Sequence, residues 1–133
     1  MPRPTLTILP GTFVVHRFPP QTDIPPEALQ AAFFSATRTD NELSLVLPEE
    51  IPLESERSEG GWTRLEVAGP LDFGLVGVLA GIANTLTNAG VSIFVLSTFD
   101  TDYILVKANQ SEKARIALER EGYAFGMRKK ENP

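Results

Sequence analysis

A chain of 133 residues, 42% of them hydrophobic and 22% charged, is long enough for one ordinary domain or two small ones with a folded core. It has no cysteine, which excludes disulfides, zinc–thiolate sites and a cysteine nucleophile. Its net charge of -5 disfavours nucleic acid and anionic membrane surfaces, because both need a basic patch. The only basic cluster, Arg128, Lys129 and Lys130, reads as a solvated tail.

The N-terminal stretch has one arginine and no apolar run long enough for a signal peptide, so a soluble cytoplasmic protein is expected. Nine of the eleven prolines fall within residues 1–60, so the first half should be built of short, punctuated pieces. Residues 12–18 (TFVVHRF) read as a strand ended by Pro19 and Pro20. Pro25, Pro26 and Glu27 suit the first turn of a short helix. Residues 32–37 and 42–47 read as two strands joined by a turn. The polar, glycine-ended stretch from Leu53 to Gly61 is the best boundary, dividing the chain into 1–60 and 61–133.

Beyond it, Trp62 to Ala68 alternates so that Leu65 and Val67 share one face, as in a strand with one wet side. After Pro70, Leu75, Leu79, Ile82 and Leu86 recur at helical spacing, with Gly90 as the C-terminal cap. From Phe73 to Phe99 no side chain is charged, yet the apolar part stops near Ala83, too soon for a membrane span. Gly74, Gly77 and Gly81 form a smooth stripe on this helix, open to a close neighbour or a ligand.

Val91 to Thr98 is nearly continuous in apolar residues, as expected of a central strand. Phe99 to Asp102 turns the chain, and Tyr103 to Lys107 returns antiparallel. Ser111 is placed to cap a final helix through Glu121, with Ala114, Ala117 and Leu118 inward and Gly122 as its stop. Residues 123–127 add a short edge strand. The second half therefore reads βαββα with one further strand, a split βαβ sandwich. There is also an internal echo, in which Thr37 matches Thr98, Glu42 matches Asp102, and Leu45-Val46 matches Leu105-Val106.

Residues 66–107, EVAGPLDFGLVGVLAGIANTLTNAGVSIFVLSTFDTDYILVK, resemble the ACT domain of small bacterial proteins related to cytosolic arginine sensors of the CASTOR type. Regulatory modules of aspartate kinases are more distant relatives. Residues 33–50, FFSATRTDNELSLVLPEE, resemble the N-terminal ACT-like half of the same proteins. The resemblance implies an α+β fold of tandem ferredoxin-like βαββαβ ACT modules, with an antiparallel sheet, helices on one face and a shortened first module. It implies an amino-acid ligand at the seam between modules, and a site at Gly69, Asp72, Phe73, Gly74, Leu75 and Val76 facing Thr98, Phe99 and Asp102.

Physical chemistry suits those positions. Backbone N–H groups at a helix start favour an α-carboxylate. Asp72 or Asp102 can hold an ammonium or a cationic side chain, and Phe99 can supply an apolar wall. Glu42 becomes the corresponding acid of the first module. Simpler roles compete: Asp72 suits an N-cap, Asp100 is ordinary in a turn, and Trp62, Phe73 and His16 suit packing. Asp72, Asp100 and Asp102 lack a recognised cation-loop spacing, so no metal or cofactor is expected.

A non-catalytic amino-acid sensor is the leading expectation, with a homodimer and a protein partner both compatible with it. A structural pairing module with a degenerate site is the alternative. A small enzyme has no nucleophile–base pair or phosphate loop behind it.

Overall fold

A computed structural model describes residues 3–68 and 77–126. The chain divides into two compact units, Gly11–Trp62 and Met1–Pro10 with Thr63–Pro133. Two strands contribute to both units: β1 (Thr5–Phe18) and β4 (Arg57–Val67). Glu56 N–H donates to the Arg17 carbonyl and Ala68 N–H to the Thr5 carbonyl, so β4 runs antiparallel to β1.

In the smaller unit a short helix, α1 (Pro26–Leu29), is followed by β2 (Ser35–Arg38) and β3 (Leu43–Pro48). The strand order is β2-β3-β1-β4. Phe18, Leu43, Leu45 and Leu47 close over Ala28 of α1, and Ile24, Ile51 and Leu53 pack against them. Pro26 tolerates the first helical position because the N–H it lacks would have no partner there.

The larger unit carries α2 (Val78–Asn88), β5 (Ile93–Ser97), β6 (Asp102–Lys107), α3 (Ser111–Arg120) and β7 (Ala124–Phe125). Its strand order is β1-β4-β6-β5, with β7 on the far side of β1. The sheet is antiparallel in its β5–β6 hairpin, whereas β7 runs parallel to β1. Ile82 and Leu86 of α2 and Ala114 and Leu118 of α3 pack on Leu6, Leu65, Val67, Ile104 and Val106. Each of those nine side chains is 0% exposed, and burial on this scale is the main drive for folding. Fold class is therefore α+β, as expected.

Several local expectations are corrected. Residues 57–61 belong to β4 rather than to a loop. Their side chains are polar and mostly exposed, and backbone pairing needs no apolar side chain to sustain it. β5 lies at an edge of its sheet, not at the centre, and its Ile93, Phe94, Val95 and Leu96 are only half-buried. Ser111 is the first residue of α3, not its cap; its hydroxyl donates to the Ala108 carbonyl at 2.9 Å, across a 3-10 turn that places Gln110 at the N-cap. The C-terminal stops agree with expectation: Gly90 and Gly122 take φ of 76° and 92°, the left-handed region that glycine enters without strain.

The helix face predicted from Leu79, Ile82 and Leu86 points into the core, while Leu75 lies outside the described residues. The glycine stripe has a local explanation at Gly81. A Cβ there would stand 2.8 Å from the hydroxyl of buried Tyr123, so the close neighbour is that side chain.

Candidate functional site

Of the expected site residues, Gly69, Asp72, Phe73, Gly74, Leu75 and Val76 lie outside the described residues. Thr98, Phe99 and Asp102 sit together at the β5–β6 turn. The register fixes this hairpin, with Ser97 opposite Asp102, Leu96 opposite Tyr103 and Ile93 opposite Val106. Thr98 N–H donates to the Thr101 carbonyl at 2.8 Å, its hydroxyl donates to the same carbonyl at 3.1 Å, and that hydroxyl accepts from Thr101 N–H at 3.2 Å. The Thr98 side chain is thereby committed to holding the turn.

Asp102 is half-buried at the start of β6 and accepts a 2.5 Å hydrogen bond from the Ser97 hydroxyl at Oδ1. A carboxylate offers about four lone-pair directions, so one hydroxyl leaves it capacity for a cationic or ammonium group. Phe99, at the tip, is 80% exposed, a position from which it could serve as an apolar wall. Sequence reasoning missed two residues here. Thr101 is buried, and its hydroxyl donates to the Val67 carbonyl, fastening the turn to the end of β4. Ser97 orients the Asp102 carboxylate. The T-x-x-T spacing and the hairpin register were the available signals.

The smaller unit repeats this turn. Thr39 N–H donates to the Glu42 carbonyl at 2.9 Å, and the Thr39 hydroxyl accepts from the N–H groups of Asn41 and Glu42 at 3.1 and 3.2 Å. Arg38 faces Leu43 across it, as Ser97 faces Asp102. The hydrogen bonds align the two turns differently from the letters: Thr39 corresponds to Thr98, Glu42 to Thr101, and Leu43 to Asp102, so the partner of Thr98 moves by two residues and that of Asp102 by one. Burial agrees, since Leu45-Val46-Leu47 and Ile104-Leu105-Val106 are both buried triplets. Glu42 is thus not the counterpart of Asp102, because a hydrophobic side chain occupies that place. It lines a separate cleft of ≈ 510 Å³ with Val15, Arg17, Ser44 and Ser58.

His16, the single histidine, is packed as expected, at 5% exposure. The Ser55 hydroxyl gives its one proton to the Arg57 carbonyl at 3.0 Å, so the 2.9 Å contact with His16 must be Nδ1–H donating to Ser55. Nε2 is then an unprotonated acceptor, buried without a partner among the described residues. Burial holds the His16 pKa below its ordinary value of 6.5. Among the described residues, no group of three or more His, Asp or Glu side chains is placed to hold a metal ion. Among them, too, no helix is long and apolar enough to cross a membrane.

The larger unit is thus an α+β module whose helix-backed sheet ends in a pinned, acid-bearing turn. Residues 57–120 match the model of the ACT domain, so the chain contains an ACT domain. It is 34% identical to protein Atu0741 from Agrobacterium tumefaciens, over 100% of this chain and 99% of that one, with a TM-score of 0.88. It is 29% identical over 116 residues to the cytosolic arginine sensor for mTORC1 subunit 1 from Pongo abelii. That alignment covers 80% of this chain and 35% of the sensor, so the chain spans about a third of such curated relatives. The aspartate kinase from Synechocystis is 15% identical, with a TM-score of 0.67 over 98% of this chain and 29% of that enzyme, a likeness of fold alone.

Proposed function

We propose that this protein is a non-catalytic regulatory module that binds an amino acid beside the Thr98–Asp102 turn. One observation carries the reading: within an ACT-domain match, Asp102 presents a half-buried carboxylate oriented by Ser97 on a turn that Thr101 pins in place. Asp102 takes the ligand's ammonium or cationic group, and Phe99 closes over its apolar part. Gly69, Asp72, Phe73, Gly74, Leu75 and Val76 supply the opposing loop, whose N–H groups take the α-carboxylate. The ligand lies at a seam between ACT modules. Arginine is the first to try, because the curated relatives are named as arginine sensors.

Tandem organisation is part of the proposal, with modules in residues 1–60 and 61–133. Two observations support it: both compact units use the same order of strands around a central one, and both hairpins close with the same threonine turn. The first module is shortened, having α1 alone as its helix among the described residues. A cytoplasmic location, a homodimer and a protein partner that reads the bound state complete the reading.

A thermal-shift screen against the twenty amino acids tests it. Ligand at a hundred times its Kd adds about 2.7 kcal/mol of stability. One amino acid should raise the midpoint, and Asp102→Asn should abolish the shift while leaving the fold intact. A flat response across the panel counts against the proposal. It would favour the second reading, a pairing module with a degenerate site, which the apolar, uncharged β5 edge supports.

A further inference from the structure

Helix α3 presents three distinct faces. Ala114 and Leu118 enter the core. Arg115 engages Glu112 and, at 3.2 Å, Glu119; the hydrogen bond and charge of Glu112, with Glu119, raise its pKa above the ordinary value. The third face is Lys113, Ile116, Ala117 and Arg120, at positions i, i+3, i+4 and i+7 of one stripe. With Ala89 at the end of α2, these four line a groove of ≈ 480 Å³.

The chemistry of this stripe is unusual for the chain. Ile116 is 41% exposed on the groove wall. Neither Lys113 nor Arg120 has a carboxylate partner among the described residues, whereas Glu112 and Glu119 of the same helix are both spent on Arg115. Lys113 instead reaches the chain just beyond the end of α2, its Nζ lying 3.6 Å from where a Cβ on Gly90 would stand. A protein of net charge -5 thus carries an apolar groove with, at each end, a cation that has no carboxylate partner among the described residues.

Seven residues separate the two cations, about 10 Å along the helix axis. A small anion bound by either or both of them would leave Ile116 uncovered. We propose that the α2–α3 groove docks an acidic segment of a protein partner. That segment places an apolar side chain on Ile116 and Ala117, between two carboxylates about 10 Å apart that meet Lys113 and Arg120. Apolar contact supplies burial, and the two charges set register and speed association.

The test uses the full chain, isotope-labelled, titrated at low salt with the peptide acetyl-Glu-Glu-Leu-Leu-Glu-Glu-amide and followed by amide chemical shifts. Saturable shifts should map to residues 113–120 and 86–90. Lys113→Glu with Arg120→Glu should weaken binding at least tenfold, Ile116→Ser several-fold, and Arg115→Gln hardly at all. All these side chains face solvent or the groove, and unchanged shifts elsewhere would verify that each variant folds. The proposal is overturned by absence of saturation at millimolar peptide, by equal affinity in the double variant, or by shifts mapping elsewhere. Equal binding of a hexaglutamate peptide would overturn it too, since that marks a bare anion patch.

Discussion

Replacing Thr101 by valine keeps the shape of the side chain and removes one hydroxyl. That hydroxyl is buried and donates to the Val67 carbonyl, so its loss strips a buried acceptor of its side-chain donor. The expected cost is about 1–3 kcal/mol. Thr101→Ser is the control: it keeps the hydroxyl and removes only a methyl, worth about 0.8 kcal/mol. For a chain of this length each kcal/mol corresponds to roughly 3–5 °C in Tm. Valine should therefore lower the midpoint by roughly 3–15 °C and serine by only a few degrees. Circular dichroism melts and urea titrations would read both, and the ligand screen repeated on Thr101→Val would show whether a loosened turn weakens binding. Valine within about 0.5 kcal/mol of the parent, or no worse than serine, would refute the idea that this hydrogen bond fastens the turn.

Other expectations follow from the same geometry. Gly81→Ala should destabilise the protein, because the new methyl meets the Tyr123 hydroxyl at 2.8 Å; in a Tyr123→Phe background the change should turn neutral or favourable, since alanine suits a helix by up to about 1 kcal/mol. Leu118→Ala, at 0% exposure on the core face of α3, should cost about 2–5 kcal/mol by urea unfolding. His16 sets a pH dependence. Its folded pKa lies below 6.5, so its stability is whole above about pH 6.5 and falls as the unfolded chain takes up the proton first. The slope from this one group is at most about 1.4 kcal/mol per pH unit. Comparing Tm against pH from 5 to 8 for the parent and His16→Gln should show a flatter curve in the variant; parallel curves would contradict the assignment of a buried neutral imidazole.

Legibility in the sequence followed the strength of the local signal. The α2 face, the β5–β6 hairpin and the stops at Gly90 and Gly122 were readable because each rests on periodicity or on a glycine that must adopt positive φ. β4 was read too short, since its first five residues, Arg57 to Gly61, are a polar run that looks like a loop until β1 pairs with it. The N-terminal end of β1 was missed for a related reason: Pro10 and Gly11 interrupt it, yet Leu6 is completely buried in a core assembled from residues far along the chain. β5 looked central because it is apolar throughout, but composition records hydrophobicity and not position in a sheet. At the turn, the acid and the flanking threonine were visible, whereas Thr101 and Ser97 acquire their roles only through the hairpin register and the Val67 carbonyl. The slip in the internal echo has the same origin. Matching letters favoured aligning Leu45-Val46 with Leu105-Val106, while the hydrogen bonds align Thr39 with Thr98.

The placement of Leu6 bears on how the chain is made. Leu6 packs in one cluster with Leu118 and Tyr123, and Thr5 and Leu6 pair with Ala124 and Phe125. During synthesis β1 can meet β3 and β4 early, but the pairing of its N-terminal end with β7 must wait until β7 has been made. Residues 11–62 can close their core as soon as β4 emerges, but the larger unit has no complete sheet until β7 is made. Its contacts are among the most distant in sequence that a chain of this length permits, and closing them late favours slow folding. In that interval an apolar N-terminal segment is left exposed, the period when the nascent protein is most open to a chaperone or to misassociation.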